Sequence, residues 1–135
     1  MFQPCSARLA LPACFVLAML LGGAAGHLGL SLPAVESGIA LSVLALGVAI
    51  TLAVRLPTYV AAALTAAFAV CHGYAHGVEA PADGSFWLYG LGFASATALL
   101  HLAGFGLGQR LALRARQLLG GAMALTGGLM LIGAL

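Results

Sequence analysis

The sequence carries very little charge and contains no lysine. Asp, Glu, Lys and Arg make up only 6% of the residues, whereas soluble domains carry about 25%, so a water-facing surface is excluded. Its five basic residues are arginines that form no run, which excludes the basic stripe of a nucleic-acid-binding protein. The three cysteines, at positions 5, 14 and 71, lack CxxC spacing and predict neither a disulfide framework nor a zinc knuckle.

Apolar residues dominate instead: 63% of the 135 residues are hydrophobic and the mean hydropathy is +1.13. A membrane-spanning helix needs about 20 mostly apolar residues. The few charges and prolines divide the chain into stretches of that length, at about 9–30, 36–54, 58–77, 87–108 and 117–135. We therefore predict one all-α transmembrane domain over residues 1–135, a multi-pass bundle of about five helices in a lipid bilayer. The first stretch also resembles a signal peptide cleaved after Gly26, an alternative that the sequence leaves open.

The charges are distributed unequally between the two sides of the predicted membrane. All five arginines fall on one side, at Arg8, Arg55, Arg110, Arg114 and Arg116. The three carboxylates fall on the other side, at Glu36, Glu79 and Asp83. By the positive-inside rule, the N-terminus is predicted to be cytoplasmic and the C-terminus outside. Trp87 and Tyr89 would then lie at the outer interface as aromatic anchors.

Glycine spacing predicts close helix packing. Three GxxxG pairs are present, Gly22 with Gly26, Gly73 with Gly77 and Gly104 with Gly108. Such pairs let helix backbones approach closely in membranes. Together they favour a compact bundle.

Ionisable residues are expensive inside a membrane and are a starting point for locating function. His72, His76 and Glu79 are spaced so that all three project from one face of a helix. Imidazoles and a carboxylate on one helix face are typical of metal ligands in helix bundles. Such ligands suit nickel, cobalt, zinc, copper or iron, whereas calcium and magnesium prefer oxygen. The alternative is that these histidines form hydrogen bonds between helices.

Two further residues belong to this candidate metal path. Glu36 falls near the outer end of its span, close to the predicted level of His76. His101 lies nine residues before Arg110, about 13–14 Å from the cytoplasmic end of its helix. We therefore predict that His101 is a second station, meaning a second position at which the ion binds along the path, deeper in the membrane and with Thr97 one turn above it. The alternative is that His101 forms an interhelical hydrogen bond. An outer cluster and a deeper histidine together indicate metal import.

The residues from Phe68 to Glu79, FAVCHGYAHGVE, resemble the FxxxHGxAHGxE signature of the HupE/UreJ family of hydrogenase and urease accessory membrane proteins. The similarity covers nearly the whole chain. It extends to LPAVE at residues 32–36, IALSV at 39–43, RLP at 55–57, GF at 92–93 and ATALLH at 96–101. Phe15 resembles the family's aromatic position in the first span. The resemblance implies a permease of the bacterial inner membrane that supplies nickel, or in some members cobalt, for hydrogenase or urease maturation. It also implies that His76 and Glu79, with His72 and Glu36, are needed for transport.

One motif of that family is missing. Family members carry an HP…DH motif at the outer end of an additional first helix, and this sequence contains no His-x5-Asp-His. We interpret the chain as having a misassigned start, or as a degenerate or split version that needs a partner carrying the missing helix. A homo-oligomer is a further alternative.

Other function classes have weaker support. A haem ligated between helices by His101 and either His72 or His76 is one alternative, but these histidines are separated by about 12 Å along the membrane normal, which argues against one shared haem. The sequence contains no HExxH or GxSxG motif, and we predict that it is not an enzyme. Two alternatives stay open: a zinc hydrolase that uses His72, His76 and His101, and a non-transporting partner subunit. No permanently bound cofactor is expected, with Ni²⁺ or Co²⁺ as the transported ion.

Overall fold

The computed structural model describes residues 5–133, with side chains described from residue 10 onward. This part of the chain is all-helical and contains no strand, which confirms the predicted fold class. Its helices are α1 (Cys5–His27), α2 (Val35–Thr51), α3 (Thr58–Glu79), α4 (Phe86–Arg110) and α5 (Leu113–Leu131).

Short-range sequence signals account for most helix ends. After α1, Gly29 takes a left-handed φ of 71°, and the Leu30 N–H donates to the Ala25 carbonyl at 3.0 Å. This is the Schellman arrangement that ends many helices. Ala53 has the corresponding left-handed φ, 49°, after α2, although alanine is strained in this region. The Ser85 hydroxyl accepts from Leu88 N at 3.4 Å and caps the start of α4.

Two predicted boundaries need correction. The connection predicted over residues 109–116 is almost entirely helical, since α4 ends at Arg110 and α5 begins at Leu113. Arg114 therefore lies inside α5. The reason is that residues 109–119 contain neither glycine nor proline, while Arg, Leu, Ala and Gln favour helix. At the other end, α3 continues through Glu79 and stops before Pro81.

The helices alternate in direction. Along α1 and α3 the contacts advance together, from Cys14 Sγ near the Ala62 carbonyl at 3.9 Å to Gly26 beside Tyr74, so these two helices are parallel. Helix α5 runs antiparallel to α2, with Gly127 beside Leu44 and Gly120 beside Thr51. Helix α4 runs antiparallel to α1, as the ring contacts Phe15–His101 and His27–Phe86 require.

This alternation gives the bundle two distinct ends. The arginine end carries Arg55, Arg110, Arg114 and Arg116 and the start of α1, where Arg8 lies. The carboxylate end carries Glu36, Glu79 and Asp83. The predicted separation of charges is thus present in the fold, while the assignment of the arginine end to the cytoplasm stays a prediction.

Glycines bring α1 and α3 into backbone contact. A Cβ added at Gly22 would collide with the Val70 carbonyl, and one at Gly77 would collide with the Gly23 carbonyl. Gly26 and Gly73 are packed in the same way. Two of the predicted GxxxG pairs therefore face each other, and they place Met19 and Ala69 in the small buried core. The third pair does not pack against another part of the described chain, because no atom beyond its own helix backbone lies within 4 Å of a Cβ added at Gly104 or Gly108.

The helices are apolar enough for a membrane. Within the described residues, three stretches are long and hydrophobic enough to cross one: Ala10–His27, Thr58–Glu79 and Phe86–Arg110. Helix α2 is apolar but has only 17 residues, and spanning by α2 and α5 stays a prediction. Large apolar side chains such as Leu21 and Leu100 are exposed on the outside of the bundle, which suits contact with lipid rather than water. The chain is a membrane protein.

Candidate metal site

The glycine contact between α1 and α3 also positions His76. Gly73 and Gly77 lie one turn before and one residue after it and hold α3 against the α1 backbone. The His76 ring projects towards α4 and lies 4.2 Å from the Phe93 ring, centroid to centroid, at an angle of 51°. The side chain is 41% exposed, so the imidazole is supported on one face and accessible on the other.

Glu79 is the acidic partner of His76. His76 Nδ1 and Glu79 Oε2 are 3.9 Å apart, which is too long for a hydrogen bond but short enough for an ion pair when the imidazole is protonated. Glu79 is the last residue of α3 and is 72% exposed. The two side chains predicted to share a helix face therefore lie together at the carboxylate end, as the spacing of three residues requires.

A small cavity of about 20 Å³ adjoins His76 between α1, α3 and α4. Its walls include Met19 and three aromatic residues of α4, Phe86, Tyr89 and Phe93. A space of this size holds about one water molecule. A partly open space of about this size therefore lies beside the His76 ring on the side that faces α4.

Sequence reasoning missed this aromatic wall. The spacing of Phe86, Tyr89 and Phe93 places all three on one face of α4 and was an available signal. Tyr89, predicted as an interfacial anchor, is half-buried and stacks on Phe93 with centroids 6.4 Å apart. Trp87, on the opposite side of the helix, is 82% exposed, in agreement with an interfacial position.

His72 and His101 share one hydrogen-bonding feature. His72 Nδ1 lies 3.2 Å from the Phe68 carbonyl oxygen, and His101 Nδ1 lies 2.8 Å from the Thr97 carbonyl oxygen. Since a carbonyl oxygen only accepts, Nδ1 must be the donor in both rings. In a neutral imidazole this leaves the lone pair on Nε2. Metal-binding histidines are commonly held in this way, by a hydrogen bond from the nitrogen that does not bind the metal.

His101 lies deeper than His76, as predicted. Its ring contacts Phe15 of α1 with centroids 5.0 Å apart, and the Thr97 hydroxyl lies 3.6 Å from the sulfur of the buried Met19. The hydrogen bond of His101 stays within α4, so the structure does not give it the interhelical bond considered above. Phe15 thus supports the deeper histidine.

Glu36 lies at the same end as Glu79 but in a different groove. It is exposed in the first turn of α2 and lines an opening of about 540 Å³ with Ser37, Met130 and Leu131. Helix α2 also touches α3 at this level, where a Cβ added at Gly38 would lie 2.8 Å from Cys71 Sγ. Glu36 is therefore close to the helix that carries the histidines, although its groove opens between α2 and α5.

The structure does not gather all predicted residues into one site. Among the side chains that the structure describes, residues 10–133, no three His, Cys, Asp or Glu lie close enough to hold a metal ion together. His76 pairs with Glu79, while His72, His101 and Glu36 occupy separate positions. The exposed His27 stacks on Phe86 with centroids 4.3 Å apart, which gives this fourth histidine an interfacial packing role.

Comparison with known proteins supplies the family. The model described as HupE / UreJ protein matches residues 1–131. The chain is 40% identical over 126 residues to Protein HupE of Rhizobium leguminosarum bv. viciae, a match that covers 90% of this chain and 66% of that relative. No solved structure matches the chain. Because the family model covers almost all of the sequence, this chain belongs to the HupE/UreJ family.

Proposed function

We propose that this chain is a permease of the bacterial inner membrane that carries Ni²⁺, or Co²⁺, and supplies it for the maturation of hydrogenase or urease. The transported ion is its substrate, and neither catalysis nor a permanently bound cofactor is part of the proposal. The observation that carries it is the set of Nε2 lone pairs left by the bonded Nδ1 atoms of His72 and His101. Membership of the HupE/UreJ family supports this choice of ion.

The proposed path begins at the carboxylate end. Glu79 and Glu36 are exposed there and would attract a divalent cation, because no arginine of the described chain lies at that end. His76 follows within reach of Glu79. His72 is one turn further along α3, about 10 Å from Glu79 along the helix axis. His101 on α4 is the deepest station of this path.

Single-histidine stations suit a transported ion. Conduction requires binding that is favourable enough for entry and weak enough for release, usually at several sites. A neutral imidazole provides one nitrogen ligand of the kind that nickel and cobalt accept. Water, the exposed carboxylates or a neighbouring histidine would complete the coordination at each step. The aromatic wall at Phe93 supports the His76 ring on its other side.

The proposal is tested by accumulation of radioactive nickel in a bacterial host that lacks its own nickel importers. Wild-type protein and a His76→Ala variant are compared at low external nickel, with His27→Ala as the matched control. His27 is a histidine at the same end of the bundle, and its ring packs on Phe86. We expect uptake by wild type and His27→Ala, and at least tenfold less uptake by His76→Ala, the order of loss when a metal site loses a needed group.

Three outcomes would overturn the proposal. Equal uptake by wild type and His76→Ala would remove His76 from the path. No uptake by wild-type protein that is shown to be inserted would favour the non-transporting or partner-dependent subunit. A haem absorption band from the purified chain would favour the haem protein instead.

A further inference from the structure

An open groove of about 710 Å³ lies between α2 and α5 at the arginine end. This is the opposite end of the bundle from Glu36 and Glu79. Its walls include Thr51, Arg114, Gln117, Leu118, Ala122 and Leu125. None of these residues belongs to the proposed metal path, so the groove requires a separate explanation.

The lining of the groove changes from cationic to apolar along α5. Arg114 lies at its beginning, and Leu118, Ala122 and Leu125 follow at spacings of four and three residues, on one face of the helix. From Arg114 to Leu125 the helix rises about 16 Å, roughly half of the 30 Å hydrocarbon core of a bilayer. Leu118 and Leu125 are exposed, at 76% and 65%. The groove therefore has the length and polarity of one leaflet.

A pair of hydrogen bonds fixes the polar wall. Gln117 Nε2 donates to the Thr51 carbonyl at 3.0 Å, and the Thr51 hydroxyl donates to the Gly47 carbonyl at 2.8 Å. The first of these bonds ties the end of α2 to α5, and the second lies within α2. The second amide hydrogen of Gln117 stays available as a donor. The Gln117 amide, held in place by its bond to Thr51, thus offers a hydrogen-bond donor in the groove beside Arg114.

Arg114 has no partner in the described part of the chain. No hydrogen bond or ion pair there involves its guanidinium, which carries five N–H donors suited to phosphate oxygens. The carboxylates of the described chain lie at the other end of the bundle, while Arg55, Arg110 and Arg116 share the end of Arg114. The counter-charge for this end must therefore come from outside the described chain.

We propose that the groove binds an anionic phospholipid. Its phosphate interacts with Arg114 and Gln117, and one acyl chain lies along Leu118, Ala122 and Leu125. Charge complementarity selects an anionic headgroup, and the apolar stripe selects a lipid rather than a free anion. Gly121 leaves room for the chain, since a Cβ added there would meet only Thr51 Oγ1, at 3.9 Å.

The test is native mass spectrometry of the full chain, released from detergent with equal amounts of phosphatidylglycerol and phosphatidylcholine. We expect wild type to retain more phosphatidylglycerol than phosphatidylcholine. In Arg114→Gln the ratio of the two bound lipids should fall about fivefold, the factor expected for one arginine near an anionic surface. Arg116→Gln is the matched control, because it removes the same charge from the same helix end outside the groove. It should retain the preference.

A second variant tests the apolar part of the groove. Gly121→Leu fills the groove and should reduce retention of phosphatidylglycerol while Arg114 is intact. Equal losses in the Arg114→Gln and Arg116→Gln variants would overturn the proposal in favour of diffuse surface charge. The absence of any headgroup preference in wild type would also overturn it. Displacement of the lipid by millimolar inorganic phosphate would overturn it in favour of a simple phosphate site.

Discussion

Replacing Gly77 by alanine should destabilise the bundle, whereas the same change at Gly104 should not. A Cβ at Gly77 would lie 2.8 Å from the Gly23 carbonyl carbon and 2.9 Å from Gly23 Cα, besides colliding with the carbonyl oxygen. Carbon atoms pack best at about 3.5–4.0 Å, so α1 and α3 would have to separate by roughly 1 Å. Inserting one methyl group into a well-packed contact costs about 1–3 kcal/mol.

Gly104→Ala is the matched control, because nothing lies within 4 Å of the added Cβ. Both variants replace glycine by alanine inside a helix and gain the same helix propensity, about 1 kcal/mol in water. Their difference therefore measures packing. The detergent-solubilised protein is heated to a series of temperatures, and size-exclusion chromatography measures the fraction that remains folded. The midpoint temperature of unfolding should be lower for Gly77→Ala and unchanged or higher for Gly104→Ala. Equal midpoints would refute the α1–α3 contact described above.

Other changes follow from the same contacts. Met19→Ala should lower the free energy of unfolding by about 2–5 kcal/mol, and the volume-conserving Met19→Leu by less than about 1.5 kcal/mol; denaturant unfolding measures both, and equal losses would contradict the packing of this buried residue. Ala53→Gly should raise the unfolding midpoint, because glycine relieves a left-handed φ that costs alanine about 1–2 kcal/mol; a lower midpoint would count against this. His101→Ala should slow nickel accumulation while equilibrium nickel binding at His76 persists, and loss of both would disprove separate stations. Nickel accumulation should also fall at acid external pH, since a protonated imidazole has no lone pair for metal; uptake independent of pH would oppose histidine ligation.

Composition and the lengths of the apolar stretches are sufficient to predict the all-α fold. The few charged residues lie at or near the helix ends, and Pro57 and Pro81 flank α3 as expected. The start of α5 was misplaced because Arg114 was interpreted as a loop residue. Charge marks the edge of a membrane, but it does not end a helix.

The partners of the candidate site were harder to predict than its residues. Spacing on one helix correctly brought His76 to Glu79, because both lie on α3. The contact of His76 with Phe93 depends on how α3 packs against α4, and spacing within one helix carries no information on that. Likewise, the Gly104–Gly108 pair has the same spacing as the packed pairs, yet nothing in the part of the chain that the structure describes covers it.

Transport of nickel by this chain alone is the central claim, and reconstitution tests it most directly. The purified protein would be inserted into liposomes that contain a nickel-quenched fluorophore, and external nickel would then be added. The account predicts quenching with wild type and with His27→Ala, and none above empty liposomes with His76→Ala. Equal quenching by His76→Ala, or none by wild-type protein shown to be folded and inserted, would contradict it.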